Sequence, residues 1–160
     1  MSIRLTFSVS GDVQFDREIM RTSEHASDLR RVFGHIADRM EGWERSQFES
    51  EGNRASHGWS PIKQATIERK QRAGLDTRVL HATHLLRDAL TRSQAPGAVR
   101  QINRRSMTFG VDADKVPYAR FHQHGTRSMP RRRPLELTKH DREEVVRDLQ
   151  RWITRGDLRP

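Results

Sequence analysis

The chain has 160 residues, 33% hydrophobic and 32% charged, enough for one modest core beneath a largely ionic surface. Thirty Lys and Arg against twenty-one Asp and Glu leave a formal charge of +9, which suits a polyanion or an acidic protein face without choosing between them. Cysteine is absent, so disulfide frameworks, thiolate zinc sites and cysteine nucleophiles are excluded. No apolar run approaches the ~20 residues of a membrane span or has the form of a signal peptide, which predicts a soluble protein suited to a reducing cytoplasm.

Ile3, Leu5, Phe7 and Val9 alternate with Arg4, Thr6 and Ser8, the period of a half-buried strand, and Ser10, Gly11 and Asp12 end it. Val13 to Met20 suits a short helix. Leu29, Val32, Phe33, Ile36, Met40 and Trp43 recur every three or four residues, predicting a long amphipathic helix to about Phe48, capped by Ser27 or Asp28. Glu51 to Pro61 is rich in turn formers and reads as a loop, with Trp59 as its large anchor.

Thr66 is placed to cap a basic helical turn with Arg69, Lys70 and Arg72, and Gly74 to stop it. Thr83 is placed to cap a second short helix carrying Leu85, Leu86, Ala89 and Leu90. Val99–Ile102 and Met107–Val111 suit two antiparallel strands, and Tyr118–His124 two helical turns between Pro117 and Gly125. Met129–Pro134, with two prolines and three consecutive arginines, reads as a loop or edge. Val145, Val146, Leu149, Trp152 and Ile153 define a last amphipathic helix, with Thr138 and Asp141 as a capping box and Gly156 as its stop. Strands and helices mix without βαβ alternation, so the class is α+β, a single domain over residues 1–160 with irregular loops at about 51–62 and 126–134.

Little in the sequence points to catalysis. The histidine pairs His81/His84 and His122/His124 lack the partners of a zinc motif, and a metal-assisted hydrolase is disfavoured. No nucleophile elbow, phosphate loop or dinucleotide fingerprint occurs, so no enzyme activity and no cofactor is expected. Between Val99 and Arg133, nine basic residues stand against Asp112 and Asp114 alone, a surplus of seven positive charges. Guanidinium forks bind phosphate and carboxylate alike, so DNA and an acidic subunit face both satisfy this stretch. The alternative function it supports is a small basic nucleic-acid-binding module, although Phe109, Tyr118 and Phe121 are too few and too scattered for a base-stacking platform.

The succession Gly58-Trp59-Ser60-Pro61, then Thr66, Lys70 and Gly74, then Val79-Leu80 with Thr83, Leu85 and Leu86, resembles the phage virion morphogenesis family. Tyr118-Ala119-Arg120-Phe121-His122-Gln123-His124-Gly125, followed by Met129-Pro130-Arg131 and Arg133-Pro134-Leu135, looks like that family's Tyr-Ala, His-Gln-x-Gly and Pro-x-Arg signature. The likeness covers nearly the whole chain. It departs at His84, where the family often has glycine before the leucine pair.

The resemblance implies a fold related to phage neck and tail-completion proteins, with a small antiparallel sheet packed against the long helix and the C-terminal helix. It implies a non-enzymatic virion component that completes or terminates the tail and joins it to the head. A homo-oligomeric ring, a hexamer, follows from that role, with tail tube, terminator or connector proteins as neighbours, possible non-specific contact with packaged DNA, and assembly in the host cytoplasm. Candidate interface residues are Trp59, Tyr118, His122, Arg127, Arg131, Arg132 and Arg133. Either the loops bearing them become ordered against a neighbour, or Trp59 plugs its own core and Tyr118 and His122 pin a local turn.

Overall fold

A computed structural model describes residues 3–8, 24–55 and 57–158. Val9 and the short helix expected over Val13–Met20 lie outside them. The elements in chain order are β1 (Arg4–Ser8), α1 (Glu24–Ser27), α2 (Arg30–Glu49), α3 (Gln64–Arg72), α4 (Leu85–Thr91), β2 (Ala98–Ile102), β3 (Ser106–Val111), α5 (Ala119–His124) and α6 (Lys139–Arg155). The class is α+β, as the sequence predicts. The three strands form one antiparallel sheet in the order β1-β3-β2, with β3 central. Phe109, Gly110 and Val111 are buried in succession, which a central strand covered on both faces requires. No helix among the described residues is long and apolar enough to cross a membrane.

The chain divides into two compact units. The first comprises Met1–Arg4, Met40–Val99 and Gly110–Glu136; the second comprises Leu5–Arg39, Arg100–Phe109 and Leu137–Pro160.

In the second unit, Leu29 just before α2 and Val32, Phe33, Ile36 and Ala37 along its first half are buried, the spacing of one helical face. Asp28, one of the two expected caps, accepts the backbone N–H of Arg30 at 3.0 Å and so serves the first turn. Helix α6 opens on the expected capping box: Thr138 Oγ1 accepts the Asp141 N–H at 3.1 Å, and Asp141 Oδ2 accepts the Thr138 N–H at 2.7 Å. Gly156, at φ +68°, closes it. The buried stripe of α6 is Asp141, Val145, Asp148 and Trp152, rotated from the apolar face expected, and Val146 is 50% exposed. Asp148 enters that stripe because Arg39 meets it at 2.7 Å, while the same guanidinium reaches Glu144 at 2.5 Å. Trp152 donates its indole N–H to the His25 carbonyl at 3.0 Å, anchoring α1 against α6.

In the first unit, Met40, Phe48, Trp59, Val79, Leu86, Leu90, Val111 and Val116 supply the core. Gln47 is fully buried on the same face of α2; its amide oxygen accepts the Ala55 N–H at 3.1 Å, which satisfies a polar group the apolar period passes over. The caps expected for α3 and α4 are displaced. Lys63 stands at the N-cap of α3 and His84 at that of α4, neither with a side-chain capping bond, and Thr66 lies inside its helix.

Candidate functional site

Four segments of the first unit enclose a cavity of about 580 Å³: Pro61 to Lys70, Val79 to Leu86, the Tyr118/His122 face of α5, and Ser128 to Arg132. Each is fixed by a specific local device. Trp59 N–H donates to the Glu51 carbonyl at 2.7 Å, and its indole N–H donates to the Arg133 carbonyl at 3.0 Å. The ring packs edge-on against Phe48, 5.2 Å between centroids. Gly52 lies directly beneath it with φ +90°, and a Cβ there would stand 2.4 Å from the indole. Trp59, 8% exposed, is therefore a wedge inside its own unit.

The Ser128–Arg132 wall is set by Gly125, whose φ of +75° ends α5 and whose missing Cβ leaves room for the Arg131 backbone. Gln123 spans to the next turn, donating to the Leu135 carbonyl at 2.8 Å and accepting the Leu135 N–H at 3.2 Å. This explains in physical terms the His-Gln-x-Gly spacing: the amide clamps the chain that returns after the glycine.

Arg132 is 6% exposed, and its guanidinium donates to the carbonyls of Ser60 at 2.6 Å and Pro61 at 3.0 Å. Lys70 is 9% exposed and donates to the Arg78 carbonyl at 2.8 Å. Among the described residues neither forms an ion pair with a carboxylate. Burial lowers the pKa of both; at Lys70 the nearby charges of Asp76 and then Glu51 oppose the shift and that of Arg132 adds to it. His122 lines the same cavity, and its buried Nδ1 has no hydrogen-bond partner among the described residues. Burial first, then the charges of Arg132 and Lys70, push its pKa down to about 4, so the imidazole is neutral near pH 7.

The opposite wall carries two non-glycine residues in left-handed backbone, Leu80 at φ +62° and His84 at φ +60°. His81 between them is fully buried, with Nδ1 2.7 Å from the Val79 carbonyl. Asp76, held far below the usual carboxylate range chiefly by its hydrogen bonds from Arg78, also meets His84.

Of the expected interface residues, the structure gathers Tyr118, His122 and Arg132 at this cavity. Arg127 and Arg131 are exposed, and Arg133 pairs with Glu136 at 2.6 Å. The basic stretch is split: Arg100, Arg104 and Arg105 fall in the second unit, where Arg100 meets Asp38 at 2.7 Å, and the remainder in the first. Lys70, Lys63, Arg69 and Leu80 also line the cavity and were not among the expected site residues. The spacing Thr66-Lys70 was the available signal, since residues four apart share a helix face. Among the described residues no three of His, Asp and Glu converge as metal ligands would.

The described structure is thus a small α+β protein with a recessed cationic concavity. A sequence model of the phage virion morphogenesis family matches residues 12–154, and the chain belongs to that family. Its role is accordingly in building the phage particle. Searches of curated proteins and of solved structures return no match.

Proposed function

We propose that this chain is a non-enzymatic structural protein of the head–tail junction of a tailed bacteriophage, which assembles as a homo-oligomeric ring, a hexamer, to complete the tail and join it to the head. Family membership across residues 12–154 carries the proposal. The surface is consistent with docking: Tyr118 at the N-cap of α5 and Phe121 within it present large rings at 36% and 41% exposure, and Arg120 stacks on Phe121 at 4.6 Å. The nucleic-acid alternative loses ground because Arg132 is buried and Arg100 and Arg133 are engaged by carboxylates.

Deleting the gene tests this reading. Filled heads and separate tails are expected in the lysate, with joining restored by adding the purified protein, whose native mass should correspond to six copies. Infectious particles from the deletion would overturn it.

A further inference from the structure

We propose that the cavity of the first unit is the docking site for an acidic, apolar peptide segment of an adjoining virion protein, with a carboxylate of that segment seated against Lys70 and Arg132. The assembly reading is needed only to say that the partner is a virion protein.

Among the described residues the cavity lining is one-sided in charge: Lys63, Arg69, Lys70 and Arg132 belong to it and no Asp or Glu does, the carboxylates of Asp76 and Glu51 acting on Lys70 from outside the lining without pairing with it. Exposed cations need no counter-charge, but Lys70 and Arg132 are each more than nine-tenths buried and, among the described residues, bonded only to carbonyls. Arg132, shifted by burial alone, and Lys70, which feels Asp76 and Glu51 only at a distance, both lack a directly paired anion among the described residues, and a carboxylate entering from solvent would supply one at short range and low dielectric. His122, with a buried nitrogen left unbonded, makes the same polar end of the cavity incomplete.

The rest of the lining selects the kind of anion. Pro61, Ile62, Leu80, Leu85, Met129 and Pro130 make the walls predominantly apolar, and Tyr118 stands half-open at the rim. A concavity of about 580 Å³ accommodates several side chains. Duplex DNA instead presents its phosphates on a broad convex surface, which exposed arginines reach and recessed ones do not. An apolar segment carrying an acid matches both features; a phosphate backbone matches only the charge.

The test uses the full-length protein and the labelled probe acetyl-Leu-Glu-Phe-Asp-Leu-amide. Its controls are the twin acetyl-Leu-Gln-Phe-Asn-Leu-amide and a 20-base-pair DNA duplex. Binding is followed by fluorescence anisotropy, and the site by NMR of the His122 imidazole and Lys70 side chain. The acidic probe should perturb both resonances and bind at least tenfold tighter than its twin. Lys70→Met should cost at least tenfold, and Thr66→Glu, which places a competing carboxylate at the cavity, should do the same even if Lys70→Met fails to fold. Equal binding of twin and probe overturns the proposal, as does a Thr66→Glu protein that binds normally, or DNA perturbing these resonances in preference to peptide. Should the probe bind as expected while the gene deletion still yields infectious phage, the assembly reading fails and the cavity assignment stands.

Discussion

His84 Nε2 lies 3.0 Å from Asp76 Oδ2 while the His84 backbone holds φ +60° at the N-cap of α4. The side chain thereby compensates for a conformation that glycine adopts without strain. Replacing it separates the two effects. His84→Gly should leave thermal stability unchanged or raise it by up to about 1 kcal/mol. His84→Ala keeps the strained φ and loses the contact, and should cost about 1 kcal/mol. Urea denaturation of the three proteins checks the order Gly, His, Ala.

Gly52 is the floor beneath Trp59. Gly52→Ala combines an unfavourable φ of +90° with a methyl 2.4 Å from the indole, so Trp59 must move. A loss of about 1–3 kcal/mol is expected, together with a red-shifted component in the tryptophan emission; unchanged spectrum and stability would show that the ring is not wedged there.

Arg39 neutralises the buried Asp148 and also holds Glu144. Arg39→Met keeps the length of the side chain but leaves the aspartate without this cation, and should destabilise the protein by about 2 kcal/mol, below the cost for a fully buried pair because Arg39 is partly solvated. The double variant Arg39→Met/Asp148→Leu should recover part of that loss.

Acid should weaken the first unit through its histidines. His122 binds its proton at about pH 4 in the folded chain, and a free imidazole near 6.5. Between those values the unfolded chain holds a proton that the folded chain refuses, so unfolding free energy falls as pH drops from about 6.5 to 4, by at most about 1.4 kcal/mol per pH unit for one imidazole. Burial lowers the His81 pKa as well and acts in the same direction. Asp76 remains ionised throughout this window. Denaturation midpoints at pH 7, 5.5 and 4.5 should decline, and His122→Asn should flatten the decline.

Elements set by local chemistry were legible in the sequence. The Thr138/Asp141 box, the Gly156 stop and the β2–β3 pair depend on residues within a few positions of one another, and all are present. What failed to show was set by partners distant in the chain. Val146 belongs to the apolar period of α6, yet Asp148 takes its place in the core because Arg39, over a hundred residues earlier, supplies the opposite charge. Lys70 reads as one more solvated cation of a basic helix until the Arg78 carbonyl and the cavity wall enclose it. The α4 start was misplaced at Thr83 because a left-handed histidine carries no propensity signal of its own.

Through Arg132, the segment after Gly125 holds the carbonyls of Ser60 and Pro61, while Trp59 in turn holds the Arg133 carbonyl. The two irregular stretches are therefore buttoned to each other in both directions. A protease that nicks either one should soon find the other susceptible, and whatever grips one from outside stiffens its companion at the same stroke.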